Sequence, residues 1–102
     1  MLEQLAADFD HASKIYAEKH GIDRDPDWFV LKMQEEMGEL TQAWNRRTGR
    51  ARVRDRDLKQ MDRELADETA DLLGHVLLFV RHNEIDLVSS IERKWYFTPS
   101  EG

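Results

Sequence analysis

Cysteine is absent from all 102 residues, which excludes both a disulfide framework and a thiolate metal site. Long apolar runs are missing as well. The longest, Val76-Leu77-Leu78-Phe79-Val80, falls far short of the ~18 residues that a bilayer crossing needs, and no basic-plus-apolar signal segment opens the chain. A soluble cytoplasmic protein with no membrane partner is expected. There is no Gly-rich phosphate loop, no arguable Ser-His-Asp arrangement, no repeat and no low-complexity stretch. Basic charge is in the minority, with 15 Lys and Arg against 21 Asp and Glu and a formal net charge of −6. That disfavours a polymeric nucleic acid as partner, because binding a phosphate backbone is driven by cationic surface. A small nucleotide stays open, since divalent ions offset local negative charge.

The apolar pattern predicts an all-α chain, one domain over residues 1–102, with four helices and no strand. The first runs from about Leu2 to Lys19, with Leu5, Phe9, Ala12 and Tyr16 on one face and Gly21 as its C-terminal cap. Asp25-Pro26 reads as an N-cap followed by proline at the first helical position. It opens a second helix to Arg47, which Thr48-Gly49 ends. Asp57 with Gln60 resembles a capping box for a third helix from Leu58 to His82, closed by Asn83 in a left-handed conformation. Asp86 caps a short fourth helix from Leu87 to Tyr96, stopped by Thr98-Pro99. Short loops imply antiparallel neighbours in a four-helix bundle. The third helix carries more than one apolar stripe, adding Leu73 and Leu77, so a homodimer or homotetramer is expected to complete the bundle.

Two acid pairs stand out, Glu36 with Glu39 and Glu68 with Asp71. Each has i, i+3 spacing, which places both side chains on one face of a helix. Acids at that spacing are commonly a solvated face, and in a chain that is 35% charged one pair alone says little. Their place on the helical wheel says more. The second helix has the stripe Phe29, Met33, Met37, Leu40 and Trp44, with Glu36 just inside its edge and Glu39 just outside. The third has Met61, Leu65, Thr69, Leu72, Val76, Phe79 and Val80, with Glu68 on the border, Asp71 beyond it, and Glu64 and His75 on the same flank. Carboxylates beside a core are costly unless paired or bound to a metal, and four together repel unless a cation sits among them. All-oxygen ligation suits Mg²⁺ first and Mn²⁺ second. A redox di-iron bundle would need Glu-x-x-His on two helices, which neither Glu36 nor Glu68 provides.

Four further features bear on a phosphate ligand. The segment from Arg46 to Arg56 holds six arginines, and as a flexible lid it offers Arg50, Arg52 and Arg54 as candidates to meet phosphate oxygens; the alternatives are a solvated connector and a nucleic-acid-binding arm. Trp28, near the start of the second helix and off its main stripe, is a candidate platform for a nucleobase, whereas Trp44 belongs with the core. His75 is a candidate to touch substrate or a structural histidine. Lys94 can offer a point charge to a phosphate.

Glu35-Glu36-x-x-Glu39-Leu40, followed by Glu68-x-x-Asp71-Leu72-Leu73 in the same helical setting, resembles the MazG-like branch of the all-α nucleoside triphosphate pyrophosphohydrolases. The resemblance runs from about Trp28 to Lys94. It implies a Mg²⁺-dependent hydrolase that cleaves a nucleoside triphosphate between its α and β phosphates. Carried over residue by residue, Glu36, Glu39, Glu68 and Asp71 become metal ligands, Lys94 a phosphate-contacting lysine, and Glu35 the acid that orients or deprotonates the attacking water. The arginine segment is not part of that pattern. The competing expectation is a non-catalytic helical module whose acids are structural or bind a regulatory metal.

Overall fold

The computed structural model describes residues 2–100 and contains four helices with no strand among them. They are α1 (Leu2–His20), α2 (Pro26–Arg47), α3 (Leu58–His82) and α4 (Leu87–Trp95). Local chemistry sets the helix starts. The Asp25 carboxylate accepts from the Trp28 amide at 2.8 Å, with Pro26 in the first turn. Asp57 accepts from the Gln60 amide at 2.8 Å while the Gln60 side chain accepts from the Asp57 amide at 2.9 Å, a complete capping box. Each satisfies amides that have no partner within the helix. Asp86 does the same for Ser89 at 3.1 Å. Gly21, at φ 64°, follows α1 in the left-handed region that glycine enters without steric cost.

Two expected helix ends differ. Asn83 is not left-handed, with φ −94°; its side chain donates to the Phe79 carbonyl, and Glu84 takes the positive φ of 51°. Helix α4 stops at Trp95, one residue early, because Tyr96 turns left-handed at φ 61°.

Helices α2 and α3 form the main pair. They run antiparallel, with His75 beside Glu36 and Arg46 beside Glu64. Helix α1 covers another side of α3, and α4 packs closely on none of the three. Phe9 of α1 sits directly over Gly74, where a Cβ would lie 2.6 Å from its ring. Glycine is needed there for the two helices to approach. Asp10 then ties three segments together, accepting from Arg24 at 3.0 Å and Arg81 at 3.2 Å, with Lys14 at 3.3 Å. Burial pushes its carboxyl up, but the bonds from Arg24, Lys14 and Arg81 outweigh that and hold it below the usual value.

The helices are rotated relative to their apolar patterns. Helix α1 buries Ala6 and Ala17 and leaves Tyr16 exposed, a turn of about one residue, or roughly 100°. Helix α2 buries Phe29, Glu36 and Ala43, spaced by seven residues. Met37 and Trp44, expected in the core, are half exposed at 50% and 49%. Small residues win the contact positions because they let the helix axes approach. On α3, Leu77 and Leu78 are buried, Thr69 is exposed, and Leu73 is 47% exposed. The second apolar stripe of α3 is thus partly covered by α1 of the same chain.

Candidate metal centre and flanking cavities

The rotation of α2 moves Glu36 from the edge of the buried face to its middle. Among the described residues it is the one charged residue in the buried set, 7% exposed, between Phe29 and Ala43 one heptad away on either side. Helix α3 places Glu68 opposite, half-buried on the same face as Met61 and Leu78. One oxygen from each of Glu36, Glu39 and Glu68 lies within 4.8 Å of the others. Asp71, the fourth expected ligand, stands outside this group. It lines the adjoining cavity, and its charge still adds to the repulsion felt by Glu36 and Glu68.

The electrostatics follow from that crowding. Burial, then the neighbouring Glu39, pushes the Glu36 carboxyl up to about 7, with Lys32 pulling the other way. Glu68 is raised as well, by burial first and then by Glu39 and Asp71. One oxygen of each, Oε2 in both cases, is buried without a hydrogen-bond partner. A buried carboxylate oxygen in that state is costly, and it is relieved by a proton or by a cation. Three carboxylates converging on one point fit a hard divalent cation, and nothing in the donor set favours a soft metal.

A cavity of about 400 Å³ opens beside the acids. Trp28 and His75 form one wall, ring edge to ring face with centroids 5.8 Å apart, and Lys32, Glu36 and Asp71 bring polar groups to it. Arg24 lies 5.9 Å from the centre of the Trp28 ring, a cation–π distance. Burial, and then the Lys32 charge, lowers the His75 pKa, while Asp71, Glu35 and Glu39 oppose the shift. Its Nε2 is 3.7 Å from Glu36 Oε1, and its Nδ1 is buried with no partner.

Sequence reasoning missed Lys32. Its Nζ sits 3.2 Å from Glu35 and 3.7 Å from Glu36, the only cation paired with the acids on α2 among the described residues. Its i, i+4 relation to Glu36 is the signal that could have found it. Arg46 was also overlooked as a neighbour of the acids; it bonds Glu64 at 3.3 Å and partly offsets the repulsion at Glu68.

Other candidates fall elsewhere. Glu35 is paired to Lys32, with its side chain 55% exposed and outside the acid group. Lys94 is exposed on α4 and does not line the cavity beside the acids. Arg52 and Arg54 line a separate cavity at the far end of α2, and Arg50 is exposed beside it. Among the described residues no helix is long and apolar enough to cross a membrane.

Comparison of the chain with protein families, curated proteins and solved structures gave no match.

Proposed function

We propose that this chain is a divalent-cation-dependent nucleoside triphosphate pyrophosphohydrolase of the MazG-like kind, cleaving between the α and β phosphates. The observation that carries the reading is Glu36. A carboxylate at the centre of a buried helix face, with Glu39 and Glu68 oxygens within 4.8 Å, is a poor structural device and a good cation ligand. Glu36, Glu39 and Glu68 hold the ion, Mg²⁺ first and Mn²⁺ second, with Asp71 on the cavity side. A cation there supplies charge neutralisation for the triphosphate and acidifies water.

The rest of the work falls to this chain's own groups. The Trp28 face offers a stacking surface for a nucleobase, and His75, whose pKa burial and Lys32 lower, offers a hydrogen bond beside it. Lys32 fixes Glu35 and Glu36 in place. The role that the resemblance gives Glu35, taking a proton from water, requires it to leave Lys32. In the reaction a water oxygen bonds to the α phosphorus. The bridging oxygen leaves with the β phosphorus as pyrophosphate, and one proton is released to a base. Positioning and electrostatics account for most of such an acceleration.

Assembly belongs to the same reading. A compact chain of ~100 residues has a radius of gyration near 13 Å, whereas this one measures 16.1 Å. A folded monomer of 12.1 kDa exposes roughly 6,000 Å², and this chain exposes 7932 Å². Val30, Leu31, Met37 and Trp44 on α2 are about half exposed, and Trp95 on α4 is 73% exposed. A homodimer or homotetramer covers this surface and can bring α4, with Lys94, to a neighbouring site.

The test is a panel of canonical and modified NTPs and dNTPs with Mg²⁺, with products identified. Pyrophosphate with the nucleoside monophosphate is expected. Orthophosphate with the diphosphate would mean a different bond is cut and would reject the reading.

A further inference from the structure

The second cavity, about 400 Å³ in volume, is walled by Arg46, Arg52, Arg54 and Arg56 with the amides of Gln42 and Asn45, and no carboxylate of the described residues lines it. In a chain of net charge −6 that concentration of one sign needs a reason. A single acid serves two of the four arginines: Glu64 accepts from Arg46 at 3.3 Å and from Arg56 at 2.6 Å. Arg52 and Arg54 form no ion pair among the described residues. The Arg46 Nε is buried and has no hydrogen-bond partner.

The loop that carries these groups is fixed at both ends. The amides of Arg50 and Ala51 donate to the Asn45 carbonyl at 2.7 and 3.1 Å, the Arg56 amide donates to Val53 at 3.1 Å, and the Asp57 capping box follows at once. Arg54 is held at φ 53°, a left-handed conformation unfavourable for a residue with a side chain. Four guanidinium groups beside one carboxylate repel one another, and an oxyanion with several acceptor oxygens relieves that repulsion.

Placement says which oxyanion. Arg46 follows Glu39 by seven residues, two turns along the same face of α2, or about 10 Å along the axis. Glu64 precedes Glu68 by one turn on α3. Along α2 the order is therefore the Trp28–His75 cavity, the three acids, and then the arginine cavity, which the end of α2 and the loop after it line and which Arg46 and Arg56 join to Glu64 of α3. A nucleoside triphosphate carries its parts in the same order, namely base, α phosphate and terminal phosphates. We propose that the arginine cavity is the subsite for the β and γ phosphates, the pyrophosphate that leaves, with Arg52 and Arg54 as its free donors. The identity of the ligand rests on the pyrophosphohydrolase reading, while the oxyanion site rests on the arginines alone.

Calorimetry with inorganic pyrophosphate in EDTA tests the site without metal or turnover. Wild type should bind, and Arg52→Gln/Arg54→Gln should bind about 100-fold more weakly, roughly tenfold for each charge-assisted hydrogen bond removed. Arg52→Lys/Arg54→Lys should recover part of the loss, and orthophosphate should bind wild type more weakly than pyrophosphate does. Both side chains are exposed and unpaired among the described residues, and removing two like charges relieves repulsion, so the Gln variant should melt no lower than wild type. Absence of binding to wild type, or equal binding to wild type and the Gln variant, overturns the proposal. In turnover, the Gln variant should raise the KM for a triphosphate substrate about tenfold. Arginine-dependent pyrophosphate binding without any triphosphate hydrolysis would leave the oxyanion site standing and reject the functional reading. Hydrolysis with an unchanged KM would leave the functional reading standing and reject the arginine cavity as the subsite for the β and γ phosphates.

Discussion

Replacing Glu36 by Gln should stabilise the metal-free protein at alkaline pH, although it changes a side chain at the centre of a helix–helix contact. The Glu36 carboxyl is pushed from an ordinary 4.5 to about 7 by burial and by Glu39. The folded state therefore keeps this proton through a range in which the unfolded chain has lost it. Stability falls as pH rises between those two values and is flat for this group above them. Each pH unit in that window is worth about 1.4 kcal/mol, so the charge on Glu36 costs on the order of 3 kcal/mol at pH 8. Glutamine has nearly the same shape and carries no such charge. Melting in EDTA should show wild type losing stability from pH 5 to pH 8, with Glu36→Gln losing less. At pH 8 the variant should melt on the order of 10 °C higher, since 1 kcal/mol moves a domain of this size by about 4–8 °C. His75, whose lowered pKa acts in the opposite direction, is present in both proteins, and the difference between their curves reports chiefly on Glu36 and on the groups it faces. Added Mg²⁺ should raise the wild-type melting temperature at pH 8 and leave the variant nearly unmoved. Parallel curves in EDTA would show that Glu36 is not the strained acid and would remove the physical basis for a cation there.

Three further outcomes follow from the packing. Gly74→Ala puts a methyl group 2.6 Å from the Phe9 ring; it should cost about 1–3 kcal/mol, read by urea denaturation, and should reshape the cavity that Phe9 lines. Asp10→Asn removes the carboxylate that joins Arg24, Lys14 and Arg81, and should cost about 2 kcal/mol at pH 7. That difference should shrink as pH falls below 3.8, because protonation of wild-type Asp10 forfeits the same bonds. Trp28→Ala should raise the KM for a nucleotide substrate about tenfold, in line with ~1–3 kcal/mol for a stacked base, and should leave pyrophosphate binding in EDTA intact.

The helix starts, and the end of α1, were legible because their causes are local, whereas the ends of α3 and α4 differ from expectation. Asp25-Pro26, the Asp57–Gln60 box, Asp86 and Gly21 act through atoms within a few residues, and each lies where the sequence places it. The rotation of each helix was not legible in the same way. It depends on which neighbour approaches and how closely, and the wheel gave weight to Met37, Trp44 and Tyr16 by size. The structure instead gives the close contacts to Ala43, Ala6, Ala17 and Gly74. The acid pairs were visible as motifs, but the sequence put Glu36 at the edge of its stripe, which understates its burial. Lys32 escaped notice because an exposed-looking lysine at i, i+4 to an acid is commonplace on helices. The Arg46–Arg56 loop was visible only as a charge run. Its cavity depends on the Asn45 carbonyl and on Glu64, which no local pattern announces.

The catalytic cation site is tested most directly by turnover of wild type, Glu36→Gln and Glu68→Gln, assayed side by side with Mg²⁺ and a triphosphate that wild type hydrolyses. Both variants should fold, by circular dichroism and by melting, and both should lose at least about a hundredfold in rate, equivalent to ~2.7 kcal/mol of transition-state stabilisation. Retention of near wild-type rates by both folded variants would contradict the claim that the buried acids hold the catalytic cation.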